Sequence, residues 1–475
     1  MSRRLLILAF LLTSALSIQA QSIWSLEKCI SHALDNSIDV KLAKLGLENA
    51  QLVHKQSKLE RLPSLNINTG YGWNFGRQID PATNDFFDQR FNFTSGSASS
   101  FVTLFAGRGI SNTIKRNNVD EDIANLDSKA TIENLKISIV GFYVSILLAE
   151  EQVENSKTRV KSIQDQLENT DKLIKAGSLP VNDRLQVLAD LANEEQNLIS
   201  AQNNVDINYN LLKQVLFLDP DVEIRIAKPS TVIPIETAPD KISFSSLYKS
   251  AINTLPEIRA NELRLRSAEL DVDIAKGNLY PTLSLSGSIN SNYSSLGKTF
   301  ENTNQTIRIP QNVFIDGNPA LLETETFSFI VKDNPFWDQF NENIGRGFNL
   351  NLNIPIFNAR RSKVNVERLQ MQIENVKLQN EQALNTVKSN VQQALSDARA
   401  AQKQLDASQK SLAAQSANYE NVEKRYQLGA VSTFEYITAR NNLDAAKVNE
   451  TISKFDYIFK VKILDFYMGK RLTIN

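Results

Sequence analysis

Apolar and polar residues alternate along two pairs of segments in this chain. Alternation with a period of two predicts strands near residues 63–76 and 281–293, and returning strands near 91–105 and 346–357. The polar positions hold small uncharged Asn, Ser and Gly residues, which suit a water-filled lumen, and each segment has the roughly 10-residue length of a membrane-barrel strand. A soluble β-sandwich would alternate in the same way. The strand near 91–105 is less regular, and its Ser-Gly-Ser-Ala-Ser-Ser centre predicts a bulge or a change of phase.

Long helical patterns fill most of the remaining chain. Residues 107–176 contain no proline, and residues 359–428 contain neither proline nor glycine. Apolar or aromatic residues recur there at coiled-coil spacing, for example every seventh residue from Val391 to Tyr426. Seventy helical residues extend about 105 Å at 1.5 Å per residue, so we expect mainly α structure built from few but long elements.

A glycine follows each long helical pattern. Gly177 and Gly429 are suited to the left-handed position that ends a helix. Second helices are predicted directly afterwards, at residues 179–218 and 431–469. Each half of the chain therefore predicts an antiparallel helical hairpin with a glycine turn at its tip.

The sequence is internally duplicated. Residues 33–65 align with residues 251–283 without a gap, at an offset of 218. Two further pairs match at an offset of 252, namely Phe105 with Phe357 and Gly177 with Gly429. Self-similarity of this kind indicates one repeated unit rather than three unrelated domains.

The duplication predicts how the chain is divided. We expect a first repeat at residues 21–235 and a second at 236–475. The two offsets differ because the second repeat carries a 34-residue insertion before Phe357. We expect this insertion, around residues 299–333, to be an outer loop.

The first twenty residues have the pattern of a secretory signal. A basic Ser2-Arg3-Arg4 precedes an apolar run from Leu5 to Leu16, and Ala20 is a suitable cleavage position. We therefore expect a signal peptide at residues 1–20, without a lipid-anchoring cysteine at the cleavage point. The most apolar later stretch, residues 137–149, is shorter than the roughly 20 residues of a spanning helix and is expected to be a buried core segment.

Composition argues against several functional classes. The net charge of -1 gives no electrostatic reason to propose a nucleic-acid partner. One cysteine and two histidines leave little material for a disulfide framework, a metal centre or a catalytic site. Phosphate-binding and Gly-x-Ser-x-Gly motifs are absent from the sequence, so we expect no enzymatic activity and no cofactor. His32 and His54 are expected to have core or capping roles.

Four strands cannot close a barrel. The smallest natural spanning barrels have about eight strands, and an open sheet edge is not tolerated in lipid. If the strands span a membrane, several copies of the chain must share one barrel. The sequence therefore predicts an obligate oligomer.

Signal, duplication, strands and long coiled-coil hairpins together resemble the TolC-type outer-membrane efflux proteins. Local matches support the resemblance at the strand-to-helix junctions, at the helix tip and in the outer loops. They are Leu104-Phe105-Ala106-Gly107, Pro355-Ile356-Phe357-Asn358, Tyr426-Gln427-Leu428-Gly429-Ala430, Phe434-Glu435-Tyr436-Ile437-Thr438-Ala439, Gly76-Arg77-Gln78-Ile79-Asp80-Pro81 and Asn334-Pro335-Phe336-Trp337.

The resemblance implies a homotrimer in the outer membrane of a Gram-negative bacterium. Three copies of four strands would form a twelve-stranded β-barrel above an α-barrel tunnel of twelve helices. Transport would be passive, with substrate delivered by an inner-membrane pump of RND or ABC type through a periplasmic adaptor. The adaptor would contact the helix tips at Gly177 and Gly429. Phe105 and Phe357 would mark the strand-to-helix junctions.

The resemblance also implies a periplasmic gate. An acidic residue six positions after each turn glycine would line the constriction, which identifies Asp183 and Glu435. A tyrosine three residues before the second glycine, Tyr426, would hydrogen-bond a neighbouring acid and hold the gate shut. Two positions depart from the family pattern, because Val431 stands where a basic residue is common and Thr438 where an acidic one is common. The alternative is that both acids lie on solvated helix faces.

Other functions remain open at this point. The same architecture could serve as the outer-membrane component of a type I protein secretion system. A periplasmic coiled-coil scaffold without a pore is a third hypothesis. Tyr71 and Trp73 favour the hypothesis of membrane-spanning strands, because aromatic residues form girdles at membrane interfaces.

Overall fold

The computed structural model describes residues 22–79, 86–88, 90–228, 238–315, 317–428 and 430–470. The signal peptide predicted at residues 1–20 lies outside this range. The chain forms two compact units. The first comprises the chain up to Leu52, Asn118–Ser267 and the chain from Ile373 onward, and the second comprises Val53–Asn117 and Ala268–Gln372.

Nine helices and ten strands lie in the described residues. In chain order the elements are β1 Ser22–Trp24, α1 Leu26–Asn36, α2 Ile38–Leu59, β2 Ser64–Asn74, β3 Arg77–Ile79, β4 Phe86–Asp88, β5 Phe91–Ala106, α3 Gly109–Lys175, α4 Val181–Leu216, β6 Ile224–Ile226, α5 Phe244–Thr254, α6 Pro256–Gly277, β7 Thr282–Ser294, β8 Lys298–Ile315, β9 Asn318–Asp333, α7 Phe336–Glu342, β10 Gly345–Asn353, α8 Arg361–Gln427 and α9 Thr433–Tyr467. A single 3₁₀ turn, Pro239–Lys241, precedes α5. The four predicted strands are β2, β5, β7 and β10, and the four predicted long helices are α3, α4, α8 and α9.

Equivalent elements recur at the two sequence offsets. Helices α1 and α5 both have 11 residues and α2 and α6 both have 22, at an offset of 218. Helices α3 and α8 both have 67 residues, at an offset of 252. The division into two repeats at residue 235 stays a prediction, because residues 229–237 lie outside the described range.

Local signals fix the ends of these helices. The hydroxyls of Ser25 and Ser243 cap α1 and α5 by accepting hydrogen bonds from the backbone amides of Lys28 and Ser246. Gly177 ends α3 with a left-handed φ of 73°. The amide of the next residue then donates to the Leu173 carbonyl at 2.9 Å, the six-to-one bond of a glycine helix stop.

The first unit contains two hydrophobic cores built from equivalent positions. One core joins α1, α3 and α4 with the short parallel strands β1 and β6. The other joins α5, α6, α8 and α9. Matching members of the two cores are Cys29 and Leu247, Ala33 and Ala251, Ile139 and Val391, Tyr143 and Leu395, and Leu212 and Leu464.

The apolar centre of α3 is part of the first core. By length and hydropathy alone, α3 is the one described helix that could cross a bilayer. Ile139, Ile146 and Leu147 are at most 1% exposed and pack against α1 and α4. This burial agrees with the core role predicted for residues 137–149.

The second unit contains a four-stranded antiparallel sheet. Its strand order is β10-β7-β5-β2, so two sequence hairpins lie side by side through β5 and β7. A register shift lies between Thr103 and Phe105. The irregularity predicted within β5 is therefore a β-bulge, and it lies beyond the Ser-rich centre where the sequence placed it.

The insertion that the sequence predicts to be an outer loop contains a β-hairpin. Strands β8 and β9 pair antiparallel from Lys298 with Asp333 to Ile315 with Asn318. Ion pairs cross the hairpin between Lys332 and Glu301 at 2.6 Å and between Lys298 and Asp333. The alternation of apolar and polar residues in β8 and β9 is interrupted by a register shift and by charged residues on both faces of the hairpin, so the sequence pattern did not predict these strands.

Candidate functional site

The two faces of the four-stranded sheet differ in polarity. Opposed residues in the register share a face, so the pairing assigns each side chain to one side. One face is apolar and carries Leu65, Ile67, Tyr71, Trp73, Ala98, Val102, Phe105, Leu283, Leu285, Ile289, Tyr293, Phe348, Leu350 and Leu352. The opposite face carries Asn, Ser, Thr and Gly with Phe91, Phe93 and Phe101. Arg346 is the only charged residue in these four strands, and the register places it opposite Ile289, on the apolar face near the start of β10.

Many side chains of the apolar face are exposed in the single chain. Phe348 is 88% exposed and Ile67 is 75% exposed. Contiguous apolar surface of this extent is rare on soluble proteins and marks a membrane or protein contact. A sheet with one apolar face and one small polar face is the arrangement of a barrel wall between lipid and water.

Strands β2 and β10 form the two edges of this sheet. Their outer backbone groups have no strand beside them within the described residues. Helix α7 covers the part of β7 that extends past β10. There the Gln339 side-chain amide accepts from the Ser294 amide at 3.0 Å and donates to the Ser294 carbonyl at 2.9 Å, so it replaces a strand residue.

The predicted interface aromatics lie together on the apolar face. Tyr71 and Trp73 are 58% and 51% exposed, and their rings meet edge to face with centroids 5.0 Å apart. Phe105, a predicted junction residue, also lies on this face opposite Leu283. Phe357 is 84% exposed in the turn that follows β10.

Both strand-to-helix junctions contain a left-handed turn. Gly107 and Arg108 have φ of 54° and 65° before α3, and Ala359 and Arg360 have φ of 53° and 61° before α8. At the first junction the end of α6 lies so close to Gly107 that a Cβ on this residue would clash with the Gly277 carbonyl oxygen. Glycine is required at this position by space as well as by conformation.

An ion pair joins the two helices of the first hairpin near its tip. The Arg184 Nε donates to the Asp171 Oδ1 at 2.8 Å. The predicted gate residue Asp183 lies beside Arg184, in the first turn of α4, and its side chain is exposed. Sequence reasoning missed Asp171 and Arg184, because their contact depends on the rotation of each helix at the turn.

A tyrosine cluster joins the two helices of the second hairpin. Tyr426 stacks on Tyr436 with ring centroids 4.6 Å apart, and the Tyr419 and Tyr436 hydroxyls lie 3.1 Å apart. The Tyr419 hydroxyl also donates to Glu423 at 3.0 Å. Burial, together with these hydrogen bonds, raises the pKa of Tyr419.

Glu435 lies at the start of α9 and contacts its own hairpin. Its carboxylate is 3.4 Å from the Arg425 guanidinium, with both side chains about half exposed. Its backbone amide donates to the Ser432 hydroxyl, which caps the helix. The structure thus pairs Glu435 with Arg425, the residue before Tyr426 in the chain, and Arg425 was not among the residues predicted for the gate.

One backbone hydrogen bond of the first tip recurs at the second. The Ala430 amide donates to the Arg425 carbonyl at 2.8 Å, as Ser178 does to Leu173. Gly429, the predicted turn residue, lies outside the described residues. The two tips differ in their side chains, since Asp171 and Arg184 correspond by offset to Glu423 and Tyr436.

The chain's cysteine and histidines lie in packed surroundings. Cys29 is fully buried, and burial raises the pKa of its thiol to about 12. His32 meets the Trp24 ring at 5.1 Å, and His54 is 6% exposed. Within the described ranges no group of three or more His, Cys, Asp and Glu residues could hold a metal ion.

Known proteins resemble this chain over most of its length. It is 22% identical over 450 residues to the probable outer membrane lipoprotein SilC of Salmonella typhimurium, covering 93% of this chain and 84% of that protein. It is 22% identical over 451 residues to the cation efflux system protein CusC of Escherichia coli O157:H7, covering 92% of this chain and 84% of that protein.

Solved structures show the same fold. A crystal structure of CusC matches with a TM-score of 0.72 at 18% identity, covering 96% of both chains. The outer membrane protein VceC of Vibrio cholerae matches with a TM-score of 0.72 at 15% identity, covering 94% of this chain and 97% of VceC. The family model described as outer membrane efflux protein matches residues 29–216 and 247–452. The chain therefore belongs to the outer membrane efflux protein family.

Proposed function

We propose that this outer-membrane efflux channel is a homotrimer whose three four-stranded sheets close into one twelve-stranded barrel. The observation that carries the proposal is the sheet itself, with one apolar face, one small polar face and two edges open for pairing. Closure between copies would hydrogen-bond both edges, which lipid requires. The apolar face would then contact lipid and the Asn and Ser face would line water.

The long helices would continue the conduit as an α-barrel. Three copies of α3, α4, α8 and α9 supply twelve helices. The channel would conduct substrate passively, as the exit duct of a tripartite pump. Its partners would be a periplasmic adaptor, contacting the tips at Gly177 and Gly429, and an inner-membrane pump of RND or ABC type.

The helix tips would form the gate. Asp183 and Glu435 occupy equivalent positions in the first turns of α4 and α9, so a trimer would place six carboxylates near the tips. Such a ring selects cations. Tyr426 would act through its stack on Tyr436, and Arg425 would hold Glu435 in the closed arrangement.

Two neighbouring substitutions in β10 test the membrane-spanning barrel. Leu350 is 62% exposed on the apolar face opposite Leu285, whereas Asn351 lies on the polar face opposite Ser284. An arginine on a lipid-facing strand position costs about 2–4 kcal/mol at the bilayer centre, and lumen positions tolerate charge. Leu350→Arg should therefore reduce heat-modifiable trimer in outer-membrane fractions, while Asn351→Arg should leave trimer and change ion selectivity in planar bilayers. Equal effects on trimer amount would refute the assignment of the faces.

A further inference from the structure

Helix α7 lies on the apolar face of the four-stranded sheet. A Cβ on Gly96 would lie 3.1 Å from the Phe340 ring, and the Ser291 hydroxyl donates to the Phe340 carbonyl at 2.5 Å. The Phe336 ring packs on Tyr293 with ring centroids 5.0 Å apart. In the strand register Gly96, Ser291 and Tyr293 all belong to the apolar face. The helix is therefore on the side of the sheet that would contact lipid in the proposed barrel.

This helix carries an exposed tryptophan. Phe336 and Phe340 stack on each other with centroids 5.6 Å apart, and both are half-buried. Trp337 meets both rings edge to face and remains 70% exposed. Tryptophan combines a large apolar ring with an N–H donor, and it is enriched where a membrane meets water. An exposed tryptophan on the lipid side of a barrel wall therefore fits the headgroup region.

The position of α7 along the strands is also that of a membrane interface. The strand-to-helix junctions at Gly107 and Ala359 follow the ends of β5 and β10, whereas α7 precedes β10 and packs on the opposite end of β7. Tyr71 belongs to the row of paired residues that includes Tyr293, on which α7 packs. Because the long helices of this family extend into the periplasm, the end of the sheet with α7 would reach the outer leaflet.

Arg346 borders α7 on the same face. It lies opposite Ile289, which is one same-face position from Ser291 beneath the helix. The Arg346 side chain is exposed, and within the described part of the chain it forms no ion pair. Glu342, four residues earlier, accepts a hydrogen bond from the Asn334 side-chain amide at 2.9 Å instead. The guanidinium is thus free to bind a group from outside the chain.

The chemistry of an arginine at this position favours a lipid phosphate. An arginine on a lipid-facing strand surface is costly at the bilayer centre and tolerated near the interface, where its long side chain reaches the headgroups. The planar guanidinium binds two phosphate oxygens at once through charge-assisted hydrogen bonds. Phosphate is the anionic group that lipid headgroups present at this depth.

We propose that α7 is an interfacial helix of the outer leaflet, with Trp337 among the headgroups and Arg346 binding the phosphate of a lipid. The proposal rests on the lipid-facing assignment of the apolar face and adds a lipid site to each copy. A lipid is favoured over a protein partner because the site is continuous with that face. Phe348, the next same-face residue after Arg346, is 88% exposed.

Quenching by brominated lipid tests the location of α7. The sequence has three tryptophans, so Trp24, Trp73 or Trp337 can be left alone by replacing the other two by phenylalanine. The full-length variants are placed in phosphatidylcholine vesicles brominated near the headgroup end of one acyl chain. Trp337 alone should be quenched at least about threefold more than Trp24 alone, the matched control, which is 6% exposed in a protein core. Trp73 alone should be quenched as well, because it lies on the apolar face of β2.

Lipid binding tests Arg346. The full-length protein in a phosphate-free detergent is mixed with dioleoyl phosphatidic acid, and native mass spectrometry counts the bound lipid. Arg346→Gln should bind at least about fivefold less phosphatidic acid than the wild type, because it loses a charge-assisted contact. The matched control is Arg308→Gln, since Arg308 is an exposed arginine of β8 that already pairs with Glu325 at 3.1 Å, and this variant should bind as the wild type does. Dioleoylglycerol, which lacks the phosphate, should not distinguish Arg346→Gln from the wild type.

The outcomes separate this inference from the proposed barrel. Quenching of Trp73 without quenching of Trp337 would mean that something other than lipid covers α7, and it would overturn the interfacial helix while leaving the barrel intact. Absence of quenching at both tryptophans would overturn both proposals. Equal binding of phosphatidic acid by Arg346→Gln and the wild type would overturn the phosphate site. Displacement of phosphatidic acid by an excess of inorganic phosphate would identify a site for free anions and would overturn the assignment to lipid.

Discussion

Gly107 lies where α6 meets the start of α3. Replacing this glycine by alanine adds a steric cost to the conformational cost of a left-handed residue, and a control glycine allows the two costs to be distinguished. Gly107 has φ of 54°, and an alanine Cβ there would lie 2.3 Å from the Gly277 carbonyl oxygen and 2.9 Å from the Gly277 Cα. A left-handed alanine costs roughly 1–2 kcal/mol. Overpacking against backbone that cannot move aside adds about 1–3 kcal/mol or more. Gly107→Ala should therefore destabilise the chain by about 2–5 kcal/mol.

Gly177→Ala is the matched control. Gly177 has φ of 73°, but a Cβ there would meet nothing within 4 Å, so only the conformational cost of roughly 1–2 kcal/mol applies. The measurement is the urea midpoint of each variant in detergent by circular dichroism, with the amount of heat-modifiable trimer recovered from outer membranes. Equal losses for the two variants would refute the reasoning. Ala359 already occupies the equivalent left-handed position of the second junction, so Ala359→Gly should stabilise by roughly 1 kcal/mol.

Three further predictions concern the sheet edge, the core and the tip. Gln339→Ala removes both hydrogen bonds to the buried Ser294 backbone and should lower the free energy of unfolding in urea by about 2–4 kcal/mol. An unchanged urea midpoint would contradict the role of this side-chain amide as a substitute for a strand residue. Burial raises the pKa of the Cys29 thiol from 9.0 in the unfolded chain to about 12 in the folded chain, so the stabilisation from the protonated thiol is complete below pH 9 and is lost as pH rises toward 12. Iodoacetamide at pH 10 should therefore label the unfolded chain far faster than the folded chain. Equal labelling rates would contradict burial of the thiol. Arg425→Gln should increase cation selectivity in single-channel recordings by releasing Glu435, and the change should be small because an exposed pair contributes about 0–1 kcal/mol.

The long helices could be predicted because their signals are local. The absence of proline and glycine and the seven-residue spacing placed a helix at residues 359–428, and α8 runs from Arg361 to Gln427. The strands were equally accessible, because alternation is a property of the segment itself. The hairpin β8–β9 was not, since its register shift and its cross-strand charges break the alternation.

The contacts at the helix tips could not be predicted from the sequence. The residues predicted for the gate, Asp183, Glu435 and Tyr426, were chosen by their distance from a glycine. Their neighbours Arg184, Arg425 and Tyr436 depend on how two helices are rotated against each other after the turn. A small change in the rotation of one helix against the other replaces one contacting side chain by another. Only the folded hairpin fixes this rotation.

The two tips hold their helices together by different chemistry, and this makes them respond differently to salt. The Arg184–Asp171 pair is partly exposed, so added electrolyte weakens it as the screening length falls from about 10 Å at 0.1 M to about 3 Å at 1 M. The second tip has a half-exposed ion pair as well, between Arg425 and Glu435, but it also has the stacked phenols of Tyr426 and Tyr436, which carry no net charge and are insensitive to that screening. In a trimer the six hairpins would alternate between the two types. Added salt would then loosen every second hairpin of the ring more than its neighbours, which keep their aromatic stack.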